Sequence, residues 1–272
     1  MKWIYAVLLT AGGVAALAQD ASPERVTVPF SDPSRPKMVK VSLINGGITV
    51  KGYNGKEVIV ESRGGEGDRG RRGREVPAGM HRIDVSGTGL RVEESENTIT
   101  IGTERINNHA EISIQVPNDT SLKLHTINGG NIVVENVAGD LDIDNTNGAV
   151  TLSHVSGSAV AHALNGRVMV TLDRVSANKA MSFSSLNGDV DVTLPADLKA
   201  NVKMKTDNGE IYSDFDVKLD ASARQPVVEG NRGSGGKYRV RFDHGMTGTI
   251  NGGGPEMQFT TFNGTIYIRK AK

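Results

Sequence analysis

Asn-Gly pairs recur along this chain at a nearly constant interval, and this period constrains the fold more than any other feature. The five central pairs are 19, 18, 22 and 21 residues apart. The central pairs and the two outer pairs that match them are Asn128-Gly129, Asn147-Gly148, Asn165-Gly166, Asn187-Gly188 and Asn208-Gly209, with Asn45-Gly46 before them and Asn263-Gly264 after them. A period of about 20 residues is typical of repeat proteins, in which each repeat is one supersecondary unit. The repeat therefore favours a scaffold over an enzyme.

Apolar residues flank each Asn-Gly pair at fixed distances. With the asparagine counted as position 0, positions −6 and −4 before the pair and +3 and +5 after it are apolar in nearly every repeat. Around Asn147, these residues are Leu141, Ile143, Val150 and Leu152. Apolar residues two apart share one side of a strand. Each repeat is therefore predicted to be a strand, a corner and a second strand, with one buried face.

The corners carry residues that suit a change of chain direction. Asn and Gly both adopt positive φ at low cost, which predicts that the pair itself makes the bend. The residue at position −2 is small or polar, as expected where a wall bends and space is tight. This set is Thr126, Asn145, Ala163, Ser185, Thr206 and Thr261. A second corner follows about nine residues later, as in Val155-Ser-Gly157, and the repeat at Asn128 fits the frame after one inserted residue.

Two architectures satisfy this frame. In an antiparallel hairpin meander or sandwich, Asn-Gly would be a two-residue turn and the flanking strands would pair with each other. In a β-solenoid, each repeat is one coil, and equivalent residues stack about 4.8 Å apart. The uniform period and the recurring second corner favour the solenoid, so the predicted fold is all-β with coils of about 20 residues. The asparagines would then form a ladder, with Asn165 in its interior and Asn263 at its end.

The same frame carries a resemblance to a known family. The pattern around each Asn-Gly pair, and the segment from Gly248 through Asn251-Gly-Gly-Gly-Pro255 to Arg269, resemble the bacterial putative-adhesin family. Its members are exported domains of unknown function built from β-strand repeats. The resemblance covers about Met38 to Lys270 and is strongest from Leu122 to Ser213. It implies a right-handed β-helix-like domain with no established catalytic residues. The frame is interrupted between residues 61 and 106 and between 221 and 237.

The chain is expected to divide into a targeting segment, an extended arm and one repeat domain. Residues 1–18 are expected to be a signal peptide, because Lys2 precedes an uncharged apolar stretch and Ala16-Leu-Ala18 is a small-x-small cleavage site. Residues 19–37, with four prolines, form an extended arm, and residues 38–272 form a single β-repeat domain. The regular coils span about 113–217, with loops at about 63–78 and 221–237. We expect no membrane span after cleavage and a periplasmic or extracellular location.

Charge and composition narrow the class of partner. The chain has 31 Lys and Arg against 31 Asp and Glu, so no overall charge points to nucleic acid. It contains no cysteine and hence no disulfide framework. No dinucleotide or phosphate-binding motif and no metal-binding motif occurs, so no cofactor is expected. An envelope glycan or a surface protein is the expected partner.

Two groups of residues are candidate binding sites. The segment 63–74 is rich in Gly and Arg, and the arginines that would grip an anionic ligand are Arg63, Arg69, Arg71, Arg72 and Arg74. The alternative, which is the favoured interpretation, is a solvated insertion whose positive charge is offset by nearby acidic residues. In the solenoid, position −3 of three successive coils would align His125, Asp144 and His162. A metal site there is one hypothesis, and an ordinary ladder of charges is the favoured one.

Paired aspartates raise the question of catalysis. Asp140, Asp142 and Asp144 alternate along one strand and Asp189 and Asp191 along another, and some β-helices use clustered carboxylates to cleave polysaccharides. Lys123 and the two histidines would flank the first group, and Arg167 the second, which favours compensated surface charges. The predicted function is an exported, non-catalytic envelope protein that serves as an adhesin-like binding or structural scaffold. The alternative is a polysaccharide lyase or hydrolase of the β-helix type.

Overall fold

The fold was established from a computed structural model, which describes residues 24–64, 89–103, 109–220, 227–229, 239–241 and 245–272. Every regular element in these ranges is a β-strand. No helix in the described part of the chain is long and apolar enough to cross a membrane. The expected signal peptide, and the arginines at 69, 71, 72 and 74, lie outside the described residues.

The strands are numbered in chain order. The first eleven are β1 (Glu24–Pro29), β2 (Lys37–Asn45), β3 (Ile48–Tyr53), β4 (Glu57–Gly64), β5 (Leu90–Ser95), β6 (Thr98–Thr103), β7 (Ala110–Pro117), β8 (Thr120–Asn128), β9 (Ile132–Glu135), β10 (Ala138–Asn147) and β11 (Val150–Ala163). The others are β12 (Val168–Val175), β13 (Met181–Asn187), β14 (Val190–Leu194), β15 (Ala200–Asn208), β16 (Ile211–Ser213), β17 (Val217–Leu219), β18 (Val227–Glu229), β19 (Arg239–Arg241), β20 (Met246–Ile250), β21 (Glu256–Asn263) and β22 (Ile266–Lys270).

The strands stack into two faces that enclose the core. The first face, before the Asn-Gly corners, has the order β5-β6-β2-β8-β10-β11-β13-β21-β15-β20-β17. The second face, after the corners, has the order β1-β4-β7-β3-β9-β11-β12-β14-β22-β16. Strand β11 runs through both faces. The pairing is parallel from β6 to β15 and from β7 to β16, as a solenoid requires, so the predicted β-solenoid is confirmed and the hairpin meander is wrong.

The core has the register that the sequence predicts. All residues at positions −6 and −4 are buried, as are those at +3 and +5 of six of the seven repeats. The rings of Phe183 and Phe259 stack in the interior with their centroids 5.5 Å apart. The exception is the repeat at Asn208, where Ile211 is half-buried and Ser213 is exposed. Their strand β16 is the last of the second face and, among the described residues, pairs with a strand on one side only.

The coils do not stack in chain order. Strands β21 and β22, which carry Asn263, lie between the coil of Asn187 and the coil of Asn208. At the other end, β2 and β3 lie between β6–β7 and β8–β9. The expectation that Asn263 ends the ladder is therefore wrong. In addition, β1 in the predicted arm pairs with β4, and β18 in the predicted loop at 221–237 pairs with β19, which follows that loop.

Most corner glycines are required by close approach between coils, not by positive φ. Only Gly46 (φ 134°) and Gly129 (φ 78°) of the glycines in the seven pairs have positive φ, and no asparagine of these pairs does. A Cβ atom on Gly166 would instead lie 2.1 Å from the carbonyl oxygen of Gly148. In the repeat with the inserted residue, Gly130 takes this place, and a Cβ on Gly148 would lie 2.1 Å from its oxygen. The glycines thus allow successive backbones to pack at the corner.

Position −2 supplies a buried or half-buried donor for the neighbouring coil. In five repeats its side chain donates a hydrogen bond to a corner glycine carbonyl. The pairs are Thr126–Gly46 (3.0 Å), Asn145–Gly130 (3.0 Å), Ser185–Gly166 (2.8 Å), Thr261–Gly188 (2.8 Å) and Thr206–Gly264 (2.9 Å). Lack of space at the bend was the expected reason for small or polar residues at this position. In the structure, these side chains also donate to a carbonyl that would otherwise lose its hydrogen-bond partner on burial.

Candidate functional site

The corner asparagines form a continuous ladder along one edge of the solenoid. In each step the Nδ2 of one asparagine donates to the Oδ1 of the preceding one in the stack. The steps are Asn147 to Asn128 (3.0 Å), Asn165 to Asn147 (2.9 Å), Asn187 to Asn165 (2.8 Å), Asn263 to Asn187 (2.8 Å) and Asn208 to Asn263 (2.9 Å). An amide has two N–H donors and two acceptor lone pairs. Each interior member therefore keeps one donor and one acceptor for a ligand or water.

Asn165→Ala is expected to lower the free energy of unfolding by about 1 kcal/mol, because the substitution removes two hydrogen bonds at a solvent-exposed site where water replaces part of each. Asn263→Ala should cost the same, since Asn263 also has a ladder neighbour on each side. Asn208, which ends the ladder, makes one such bond, and Asn208→Ala should cost about half as much. Urea denaturation of the three variants measures these losses in the free energy of unfolding. Equal losses for Asn165 and Asn208 would show that the ladder bonds contribute nothing.

The predicted His125, Asp144 and His162 lie on neighbouring strands in register. Their side chains do not converge, however. His125 Nδ1 lies 3.8 Å from Asp144 Oδ1, whereas His162 Nδ1 lies 2.8 Å from the hydroxyl of Ser184 on the next coil. No group of three metal-binding side chains occurs among the described residues. The arrangement therefore has the form of a ladder of polar side chains.

Two of the three aspartates on β10 that raised the question of catalysis are held in ion pairs with lysines. Lys123 Nζ lies 2.8 Å from Asp142 Oδ2, and Lys179 Nζ lies 2.6 Å from Asp140 Oδ2. The hydrogen bond from Lys179, assisted by one from Ser158, lowers the pKa of Asp140. A general acid in glycoside cleavage needs a raised pKa, so this shift makes Asp140 unsuited to that role.

The second pair of aspartates has a different cation from the one expected. Arg269 binds Asp191 through two hydrogen bonds of 2.7 and 2.9 Å, because β22 stacks on β14. The predicted partner was Arg167, which lies on the other side and makes no such contact in the described structure. Asp189 accepts a hydrogen bond from the backbone of Thr265 at 2.8 Å. Insertion of the coil of Asn263 is the reason for the exchange of partners.

The pairing of Asp140 predicts a small loss of stability in acid. Its pKa is lowered in the folded state, so its contribution is present above the ordinary carboxyl value of 3.8 and is lost as pH falls below that value toward the folded pKa. Both side chains are half exposed, which limits the contribution to at most about 1 kcal/mol. Lys179→Met should remove this contribution at pH 7 and make little difference at pH 2. Denaturation of wild type and variant at both pH values checks this, and an equal difference at the two would contradict it.

The first face also carries a surface patch formed by coils that are adjacent in the stack but not all consecutive in the sequence. Three adjacent coils, those of Asn165, Asn187 and Asn263, present only uncharged side chains outward from position −5 to the asparagine itself, and the exposed Glu256 lies beyond this stretch, at position −7. We call this patch the uncharged window; its residues are Val160, His162, Leu164, Asn165, Ser182, Ser184, Leu186, Asn187, Gln258, Thr260, Phe262 and Asn263. Charged residues border it on both sides, with Asp142 and Asp144 on one neighbouring coil and Lys203, Lys205 and Asp207 on the other. A chain with 23% charged residues places none in this window.

The second face ends in an aromatic cluster. The rings of Tyr212 and Tyr267 stack with their centroids 5.6 Å apart, and the guanidinium of Arg269 lies 5.0 Å from the centre of the Tyr267 ring. The hydroxyl of Tyr212 also bonds to the carboxylate of Glu210, which raises the pKa of the tyrosine. These residues come from the coils of Asn208 and Asn263, so their proximity also depends on the insertion. Of the arginines proposed for anion binding, the described Arg63 lies exposed in β4, opposite Glu111 of β7.

Comparison with known proteins finds a family model and solved structures to which this chain is similar. The family model described as Toastrack DUF4097 matches residues 130–248. No curated protein matches the sequence. Among solved structures, the chain is similar to a putative cell adhesion protein from Clostridium sporogenes, with 12% identity over 92% of this chain and 100% of the other and a TM-score of 0.46. It is also similar to a putative adhesin from Bacteroides fragilis, with 10% identity over 93% of this chain and 98% of the other and a TM-score of 0.33.

The matched segment runs from the repeat at Asn128 to β20 and includes four of the six asparagines of the ladder. It coincides with the regular coils, where the resemblance in the sequence was strongest. The resemblance to the bacterial putative-adhesin domains is thus confirmed, with residues 130–248 of this chain matching the family model described as Toastrack DUF4097.

Proposed function

We propose that this protein is exported and acts in the cell envelope as a non-catalytic, adhesin-like binding or structural scaffold. The observation that carries the proposal is the register of the coils. Equivalent outward positions recur at strand spacing, about 4.8 Å, so the solenoid presents its outward side chains in evenly spaced columns. The asparagine ladder is one such column. A surface of this kind suits contact with a polymer that also repeats.

The chemistry of the carboxylates supports a binding role over catalysis. Asp140, Asp142 and Asp191 are each engaged by a cation, and the pKa of Asp140 is lowered. Incubation of the protein with uronic-acid polysaccharides is expected to release no new reducing ends and no unsaturated products. Turnover of any of them would overturn the scaffold and favour the lyase or hydrolase alternative.

Export is supported by the amino-terminal sequence, with its charged Lys2, its apolar stretch and the small residues at Ala16 and Ala18. The full chain should yield a mature protein that begins at Gln19 and fractionates with the periplasm, envelope or medium. Leu8→Arg interrupts the apolar stretch and should leave the uncleaved chain in the cytoplasm. Mass spectrometry of the fractions tests this, and an uncleaved wild-type chain in the cytoplasm would contradict export.

Binding to the envelope is the remaining part of the proposal. Mature protein is expected to sediment with purified envelope fragments from its own cells. A bovine serum albumin control sets the level of non-specific sedimentation. Sedimentation no greater than that of the control would remove the binding role and leave a structural one.

The segment Gly64 to Arg74 is expected to be dispensable for folding. Replacing it with a short Gly/Ser linker should leave the melting temperature nearly unchanged, because insertions of this composition carry few contacts. Thermal melts of both proteins check this, and a large loss of stability would contradict it. Loss of binding to anionic glycans with intact folding would make Arg69, Arg71, Arg72 and Arg74 a binding site.

A further inference from the structure

We infer that the uncharged window on the first face binds a neutral glycan chain that runs along the stacking axis. The inference deepens the proposed envelope-binding function and rests on it. Three features of the window carry it: an apolar ridge, a polar column on each side of that ridge, and the absence of charge from twelve adjacent outward side chains.

The ridge is formed by position −1, the residue before each ladder asparagine. Leu186 is 40% exposed and Phe262 is 46% exposed, and Leu164 lies beside them on the next coil. Successive ridge residues are separated by strand spacing, about 4.8 Å, which is close to the length of one sugar unit in an extended chain. Each pyranose ring has an apolar face of C–H groups. A row of apolar side chains with this spacing offers one contact to each successive ring.

Hydrogen-bonding groups flank the ridge on both sides. On one side, Asn165, Asn187 and Asn263 each keep one N–H donor and one acceptor lone pair outside the ladder. On the other side, His162 and Ser184 form one pair (2.8 Å), and Gln258 and Thr260 form another (3.3 Å). Sugar hydroxyls both donate and accept. An apolar strip between two columns of mixed donors and acceptors therefore matches the alternating chemistry of a glycan.

The distribution of charge selects a neutral ligand. A carboxylate or sulfate on the window would lose part of its hydration without gaining an ion pair, which is unfavourable. The coils on both sides do carry charges, so the window is bounded at about three sugar units. A peptide strand is disfavoured, because β11, β13 and β21 are hydrogen-bonded to a neighbour on each side and offer no free backbone edge.

The test is titration calorimetry of the mature protein with chitohexaose and cellohexaose, both neutral, and with hexagalacturonate as an anionic comparator. We expect a neutral hexasaccharide to bind and hexagalacturonate not to bind. Phe262→Ser should weaken binding about tenfold, the effect of losing one well-packed contact of about 1.4 kcal/mol. Tyr212→Ser is the matched control, because Tyr212 is an equally exposed aromatic residue on the second face. Circular dichroism verifies that both variants fold.

Three results would overturn the inference. They are failure of both neutral hexasaccharides to bind, equal binding by wild type and Phe262→Ser, and a dimer of wild type that Phe262→Ser dissociates in sedimentation velocity. The last would assign the window to a second copy of this chain. Envelope sedimentation distinguishes failure of this inference from failure of the proposed envelope function. If one of these three results is obtained while wild type still sediments with envelopes, the window fails and the envelope role stands; if wild type does not sediment, the envelope role itself fails.

Discussion

Gly166→Ala should destabilise the fold by about 3 kcal/mol or more, a loss beyond ordinary overpacking of a core. The added methyl group would lie 2.1 Å from the carbonyl oxygen of Gly148, and both atoms belong to or adjoin backbones that are fixed by parallel pairing on either side. Relief would require separation of two coils along the whole corner. Thermal and urea denaturation of the purified variant measures the loss.

Gly102→Ala is the control for this substitution. Gly102 lies in β6, and a Cβ there would be 3.6 Å from the nearest atom, an ordinary van der Waals contact. Its effect should be within about 0.5 kcal/mol of zero. If the two alanine variants were equally stable, close approach between coils would not be the reason for glycine at the corner, and the packing described at these positions would be wrong.

Val168→Asp is the second substitution with a large expected effect. Val168 is fully buried at position +3, between Val150 and Val190 of the adjacent coils. A carboxylate at this position would be buried without a partner, so we expect a loss of about 4 kcal/mol or more, or no folded protein. Arg167→Asp changes the adjacent, exposed residue and should cost less than about 1 kcal/mol. Similar melting temperatures for the two variants would show that the register is wrong.

The register of these strands could be predicted from the sequence because it is a local property. Residues such as Leu141 and Ile143 must share one side of a strand, and only one side of a narrow coil faces the core. The same argument failed only at Ile211 and Ser213, where the coil lies at the end of its face. Burial there depends on what covers the end of the stack, which no local pattern records.

The order of the coils could not be predicted, because the repeats are nearly interchangeable. A 20-residue period says which residues are equivalent but not which repeats are neighbours. Asn187 and Asn263 are hydrogen-bonded although 76 residues separate them in the chain. The exchange of Arg167 for Arg269 as the partner of Asp191, the aromatic pair at Tyr212 and the uncharged window all follow from this one rearrangement. The function of the position −2 donors was hidden for a related reason, since their acceptors belong to other coils.

Insertion of the coil of Asn263 between those of Asn187 and Asn208 has a consequence for how the protein is made. A solenoid stacked in chain order is able to grow coil by coil as the chain emerges into the compartment where it folds. Here the coil of Asn208 is synthesised before the layer on which it rests, so it has no docking surface until β21 and β22 arrive. A chain that stops before Glu256 would thus lose two layers instead of one. The appearance of β21 and β22, not of the coil of Asn208, decides whether this end of the molecule closes.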